Sequence, residues 1–410
     1  MNLILAMALR NARRSWRRSL LTAIAITFGT ALLQIGLAWV DGVLGDAFDR
    51  ASAMAGHVRV VTPAFAEKEN MFPLSENMPQ TDPLVKAVAS VAGIKGAYAR
   101  IQLPTSVSVD ASIGDVFALL QGAPTDYYTE VLELDSHLAE GRMLAADSEV
   151  MIGKTLAEEA HIKLDEQMIF IGQTQDGSPS GLKVKVVGIV DLGSKAQNKQ
   201  AYITLEKARY VADMDGGATE ILAFGADREQ AEALSAKVGA LPELKGLEVR
   251  AWSQRRPWSE VKKIIGPISS ILVTVIVMIT ALVVLNTMLM SVLERTSEIG
   301  VLRAMGMRRA QTILLFVAEA IGIAILGGLL GALIGACGAL YLQHVGVNIG
   351  AGADRMPSSV PINTIVYGRF KFSNMLNGMF LAMLMAVIGS ALPAWRAASI
   401  EPVEAMRHRR

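Results

Sequence analysis

Leu20-Leu-Thr-Ala-Ile-Ala-Ile-Thr-Phe-Gly-Thr-Ala-Leu-Leu-Gln-Ile-Gly-Leu-Ala-Trp-Val40 runs for 21 residues without a charged side chain. At about 1.5 Å of rise per residue, a helix of this length covers the ~30 Å hydrocarbon layer of a bilayer. Three further stretches of the same kind follow, Ile264 to Val292, Thr312 to Leu342 and Phe372 to Trp395. Only helices satisfy their own backbone in lipid without closing into a barrel, so each stretch reads as a helix. The spacing is informative: one span, a long polar insert, then three spans. The expected fold is a membrane protein with four transmembrane α-helices and a large α+β extracytoplasmic domain inserted between helices 1 and 2.

The expected organisation follows. Residues 1–19 form a basic amphipathic helix, with a charged flank that merely orients the first span as the alternative. The first span is 20–40 and the inserted domain 41–261, the latter in two subdomains with the later one near 131–212. Residues 262–292 are the end of a stalk and the second span. Residues 293–309 make a short connecting helix, 310–343 the third span, 344–371 an outer loop, 372–395 the fourth span and 396–410 a tail.

Charge placement sets the expected orientation. Arg10, Arg13, Arg14, Arg17 and Arg18 precede the first span, Arg295, Arg303, Arg308 and Arg309 separate the second from the third, and Arg396, Arg407, Arg409 and Arg410 follow the fourth. All three clusters lie on one side of an even-numbered bundle, so the positive-inside rule places both termini in the cytoplasm and the insert outside. Lys262, Lys263, Arg369 and Lys371 oppose this but are outnumbered. A secretory signal peptide fits poorly, because its apolar core would be too long. The expected location is therefore a membrane, with both termini in the cytoplasm and the large domain on the far side. The net charge of +1 says little about partners, and no nucleic-acid partner is expected. The single cysteine, Cys337, excludes an internal disulfide and any metal site built on cysteines.

Within the insert, His57–Val61, Lys183–Val190 and Gln200–Leu205 alternate as half-buried strands. Thr155–Ala160 and Asp227–Val238 read as helices. Gln173-Thr-Gln-Asp-Gly-Ser-Pro-Ser-Gly181 has the turn residues of a protruding hairpin. After Pro257 a helical pattern runs without interruption into the second span, a candidate rigid stalk. Gly327, Gly331 and Gly335 recur every four residues in the third span, the spacing that lets helices approach closely, within the bundle or across a dimer. Gln34, Asn286 and Glu319 are polar at depth.

The segment Leu293-Glu-Arg-Thr-Ser-Glu-Ile-Gly-Val-Leu-Arg-Ala-Met-Gly-Met-Arg-Arg309 joins the second and third spans. On a helix, Glu294 and Glu298 are one i,i+4 step apart, and Ile299, Leu302 and Met305 make an apolar stripe suited to a groove on another protein. This segment resembles the signature loop of the FtsX-like ABC permeases, a superfamily that includes MacB-type exporters and lipoprotein-releasing permeases. Leu392-Pro-Ala-Trp-Arg-Ala-Ala-Ser-Ile-Glu-Pro-Val-Glu-Ala-Met406 is similar to the closing motif of that family. Glu140-Gly-Arg-Met, Glu149-Val-Met-Ile-Gly and Val186-Val-Gly-Ile-Val190 are similar to its periplasmic core. Leu164-Asp-Glu-Gln167 departs from it, because many relatives have a Gly-Asp turn there.

The resemblance implies a transport subunit, not an enzyme, in which the loop couples to a separate ATPase subunit. Carried over by position, the ATPase-coupling residues are Glu294, Arg295, Glu298, Ile299, Gly300, Leu302, Arg303, Ala304, Met305 and Gly306. Gly153-Lys154-Thr155 imitates the end of a phosphate loop, but Ser148 stands where a Walker A motif needs glycine. ATP and magnesium are therefore expected on the partner, with no cofactor, metal or catalytic residue in this chain. A second permease subunit, identical or different, is the other expected partner. Lipoprotein or lipid-like cargo is expected against Ile35, Trp39, Val40, Ile268, Ile271 and Leu272. A periplasmic carrier or adaptor is expected at Gly177, Ser178, Pro179 and Ser180. The expected function is extraction of lipoprotein or lipid-like cargo from the inner membrane. Export of peptides or drugs in the MacB manner is one alternative, and mechanical regulation of a cell-wall enzyme is another.

Overall fold

The computed structural model describes residues 16–108, 115–195, 197–256, 258–348 and 365–400. Most of the proposed amphipathic segment 1–19, the outer loop over 349–364 and the tail beyond residue 400 lie outside the described residues.

Ten helices are used here: α1 (Trp16–Ala55), α2 (Pro63–Glu67), α3 (Asp82–Ala89), α4 (Lys154–Glu159), α5 (Leu205–Ala212), α6 (Ala231–Gly239), α7 (Trp258–Glu294), α8 (Thr296–Ala304), α9 (Arg309–Val345) and α10 (Phe372–Ser399). The strands are β1 (Val58–Val61), β2 (Ile94–Ser108), β3 (Asp115–Ala123), β4 (Leu138–Gly141), β5 (Glu149–Gly153), β6 (Gln167–Gln173), β7 (Pro179–Val190), β8 (Gln200–Thr204), β9 (Glu220–Gly225) and β10 (Glu248–Ala251). Two short strands, β11 (Val347–Asn348) and β12 (Ile365–Val366), pair between α9 and α10.

Four helical stretches are long and apolar enough to cross a membrane: Ser19–Ala55, Ser270–Glu294, Arg309–Val345 and Phe372–Ser399. Among the described residues, 16–45, 263–348 and 365–400 form one unit, which holds these stretches except for the last turns of the first, and 46–262 form a second unit. In the first unit small residues make the packing. An added Cβ on Gly327 would sit 2.8 Å from the Ala23 carbonyl, and one on Gly331 would sit 2.6 Å from the Thr27 carbonyl. The Thr27 hydroxyl donates to the Gly327 carbonyl at 3.0 Å. The glycine stripe of α9 thus serves contact with α1 inside the bundle. Gly389 of α10 packs equally closely on Ala281 and Val284 of α7. The buried centre is built from Ile26, Val284, Met288, Ala320, Ile323, Ala382 and Ala386.

The helix of the first span continues to Ala55, beyond the charge at Asp41 that marks the expected end of the span. Its last turns stay helical because Ala47, Ala51 and Ser52 remain buried, and Arg50 pairs with Asp46 one turn back at 3.2 Å. A charge ends a membrane crossing; it does not end a helix.

In the second unit one strand organises two lobes. The first half of β2 pairs with β9, which pairs with β1 and then β10. The second half of β2 pairs with β3 on one side and, at Ser106–Ser108, with β6 on the other. From β3 the order continues through β8, β5 and β7, and β7 pairs with β6, so six strands close into a ring. Closure removes free edges. Ile101, Leu103, Val107, Leu120, Val150, Ile152, Phe170, Val184 and Ile203 fill the ring. The second lobe therefore begins near Ile101, not near residue 131, because β2 is shared by both lobes. Pro104 stands inside β2 opposite Leu119. Asp165, in the segment that departs from the family pattern, takes a left-handed φ of 69° and still makes the turn before β6.

Between β1, β9 and β2 lies a buried ionic ladder. Arg100 Nε donates to Glu220 Oε1 at 3.0 Å, and Arg59 approaches the other oxygen at 3.6 Å. Burial alone would raise the Glu220 carboxyl, but Arg100 and Arg59 outweigh it and hold the group below its usual range.

Candidate functional site

The connecting helix α8 is set off from α7 by Arg295, whose backbone leaves the helical region at φ −104° and ψ 16°. The Thr296 hydroxyl donates to the Leu293 carbonyl at 2.8 Å and so closes the end of α7. At the other end Gly306 takes φ 101°, open to glycine and costly for any residue with a Cβ. Its amide donates to the Arg303 carbonyl at 3.0 Å, and the Met307 amide reaches back to Leu302 at 3.1 Å. These bonds satisfy the last carbonyls of the helix and end it sharply.

Three anchors hold α8 on the bundle. Ile299 is 5% exposed and packs with Val292, Phe316, Ala394 and Ala397, which come from α7, α9 and α10. The Arg295 guanidinium meets the carboxylate of Glu319 at 3.4 Å, with Glu319 buried in α9. Arg303 donates to the Ile400 carbonyl at the end of α10. α8 is thereby in contact with three spanning helices at once.

This geometry corrects one expectation. Ile299, Leu302 and Met305 do not form one outward stripe. Ile299 and Gly300 are buried in the bundle, and Leu302 and Arg303 are half-buried. The outward apolar surface is Leu293, Val301 and Met305, with Met305 72% exposed, beside exposed Glu294, Glu298, Ala304 and Gly306. The expected coupling residues thus divide into an inward set, which grips the bundle, and an outward set, which a partner can touch. The anchor residues Glu319, Phe316 and Ile400 are not legible in the loop itself. Glu319 alone gave a signal, as a carboxylate deep in an apolar stretch.

The residues expected to face cargo do not share one environment. Ile35 of α1 is half-buried and seated on Gly338 of α9, where an added Cβ would lie 2.7 Å from its Cδ1. Trp39 and Val40 are also half-buried. Ile271 and Leu272 of α7 are open, at 63% and 42% exposure, and they continue into a long exposed face through Val275, Met278, Ile279 and Leu282. The side chain of Ile268 lies outside the described residues.

The β6–β7 hairpin forms where its turn residues place it, with Gly177 at φ 84°. It is tied down below its tip. The Gln175 amide donates to the Ala212 carbonyl at 2.9 Å, Asn77 donates to the Gln175 side chain at 2.8 Å, and the Ser180 hydroxyl donates to Val211 at 2.9 Å. Gly177, Ser178 and Pro179 remain exposed at the tip, and Ser180 is half-buried. Among the described residues no group of three or more histidine, cysteine, aspartate or glutamate side chains has the geometry to hold a metal ion.

Two family models match the chain. The MacB-like periplasmic core domain matches residues 19–241 and the FtsX-like permease C-terminal domain matches residues 270–402. The chain belongs to the FtsX-like permease family with a MacB-like periplasmic core. This permease is 32% identical over 151 residues to the uncharacterized ABC transporter permease YknZ of Bacillus subtilis, which covers 35% of the chain and 34% of the relative. It is 22% identical to the lipoprotein-releasing system transmembrane protein LolC of Neisseria meningitidis, over 77% of the chain and 79% of that protein. It is 22% identical to the macrolide export ATP-binding/permease protein MacB of Wolinella succinogenes, over 98% of the chain and 60% of that protein. The permease thus spans about a third of the first relative and three fifths of the last. The core-domain match covers β1 to β9, and the C-terminal match covers α8 with all three of its anchors.

Proposed function

We propose that this permease converts ATP hydrolysis on a separate subunit into motion of its outer domain, and that the motion extracts lipoprotein or lipid-like cargo from the membrane. The observation that carries the coupling is α8: a short helix gripped by three spanning helices that leaves Val301, Met305 and two carboxylates facing outward. An ATPase subunit that carries the nucleotide and magnesium docks on that face, and its closure pushes the helix. α7 stays helical from Trp258 to Glu294, with Pro267 inside it, and α1 from Trp16 to Ala55, so each is a continuous helix that contains both spanning residues and residues of the inserted domain. Work delivered at α8 reaches the insert through those helices. A second permease copy completes the cargo path along the open face of α7. In this reading α8 lies on the cytoplasmic side of the bacterial inner membrane and the insert in the periplasm, the orientation that the arginine clusters favour.

Lipid-like cargo is favoured by the match to LolC over more than three quarters of both chains and by the long, largely apolar exposed face of α7. The likeness to MacB favours a second reading, export of a peptide or drug through a periplasmic adaptor. Mass spectrometry of the permease purified in native lipid with its ATPase separates the two. Bound triacylated peptides that leave on addition of ATP support the first reading. Their consistent absence, with a co-purifying adaptor, overturns it in favour of the second.

A further inference from the structure

Beneath the ionic ladder of the inserted domain lies a cavity of about 380 Å³. Its walls come from the last turns of α1, from β1 and β2, from the segment around Glu69 and from the root of α7. The charges on it do not balance. Arg59, Arg100, Arg255 and Arg256 line it, against Glu69 on the wall and Glu220 behind Arg59 and Arg100. Four cations thus meet two carboxylates. Arg59 and Arg100 are 5% and 4% exposed, and Arg256 is exposed at the mouth. Glu69 is shared, accepting from Arg59 and, at 3.1 Å, from Arg255. One acid therefore serves two guanidinium groups. Nε of Arg255 is buried with no hydrogen-bond partner among the described residues. Burial and then the nearby Arg59 push Arg255 down to about 10.

Buried excess charge is costly unless a counter-charge meets it. The unmet donor is an N–H of the Arg255 guanidinium, a group whose planar fork matches the oxygens of a phosphate. Phe65, Phe72 and Trp258 supply an apolar wall to the same cavity. We propose that this cavity binds a phosphate group, held by Arg255 and Arg256 with Arg59 behind them. The phosphate is either free in solution or the headgroup of an anionic lipid. Ala51, Met54 and Ala55 on α1 and Trp258 on α7 border the cavity, so an occupant ties together the ends of two long helices within the inserted domain.

The test uses the full-length permease, delipidated in a phosphate-free maltoside detergent at constant ionic strength. In the first arm inorganic phosphate is titrated against it by calorimetry, with sodium chloride as the matched control. In the second arm phosphatidylglycerol is added and retained lipid is read by native mass spectrometry. A free-phosphate ligand gives saturable binding in the first arm, and a lipid ligand gives a retained adduct in the second. Arg255→Gln weakens whichever signal appears by about tenfold, and Arg255→Lys, which keeps the charge but not the fork, by less. If Arg255→Gln loses its cooperative unfolding, Arg256→Gln at the exposed mouth carries the test, with a loss of about threefold. Absence of binding in both arms, or binding indifferent to whichever of these substitutions folds, overturns the proposal.

Discussion

Truncation of Ile299 separates gripping the bundle from docking a partner. Ile299→Ala removes three carbon atoms from a site 5% exposed, facing Val292, Phe316, Ala394 and Ala397. Large-to-small changes at such sites cost about 2–4 kcal/mol, the transfer of the lost atoms plus the cavity they leave. The cost falls on the seating of α8, because the helix has nine residues and little stability of its own. At about 1.4 kcal/mol per factor of ten, the amides of Thr296 to Ala304 should exchange with deuterium about thirtyfold to several hundredfold faster. Exchange in the closed ring of the inserted domain should not change. In the assembled transporter the variant should bind its ATPase and hydrolyse ATP, yet release little cargo, because the push no longer reaches α7, α9 and α10. Met305→Ala, on the outward face, should do the reverse: normal exchange in α8 and weaker ATPase binding. Normal exchange together with normal transport in Ile299→Ala would refute the reasoning.

Other substitutions probe the frame around this site. Gly331→Ala places a Cβ 2.6 Å from the backbone carbonyl of Thr27, which cannot rotate away, and should cost about 1–3 kcal/mol in thermal unfolding of the detergent-solubilised protein. Glu220→Gln strips the shared acid from Arg59 and Arg100 and should destabilise the inserted domain by about 3–5 kcal/mol in chemical denaturation; a loss under 1 kcal/mol would show that the ladder is not the buried pair described. Glu149 is held down to about 2, first by its hydrogen bonds from Arg142 and then by the Ala145 and Ala146 amides. A depressed carboxyl adds stability above its ordinary value of 4.5 that disappears as the pH falls toward 2. Arg142 is more than half exposed, so screening leaves only a small amount of that stability. Glu149→Gln should lose that amount at neutral pH and flatten the acid limb of the stability profile between about pH 4.5 and 2, and an unchanged limb would count against the pairing.

The spans were legible because lipid makes a coarse demand, some twenty apolar residues, that composition alone meets. The strands β7 and β8 were legible for a related reason: Leu182, Val184 and Val186 alternate with polar neighbours, and one face is buried. β2 was not. Pro104 and Gly96 interrupt its pattern, and a proline is normally read as the end of a strand. Its pairing with β9 joins residues more than a hundred apart, which no local pattern encodes. The division of α8 was hidden likewise. Spacing places Ile299, Leu302 and Met305 on a stripe, but only the position of Phe316, Ala394 and Ala397 decides that Ile299 turns inward. The hairpin tip shows the same limit, since Gly177 and Pro179 announce a turn while Asn77 and Val211 decide whether it stands free.

The central claim is that force enters through the outward face of α8. A photo-crosslinking residue at position 305, in the transporter assembled in native membrane and tested with and without ATP, addresses it most directly. The account predicts a crosslink to a nucleotide-hydrolysing subunit whose yield changes with nucleotide. Reaction of that position with a membrane-impermeant reagent added from the outside, or no protein crosslinked there in either state, would contradict it.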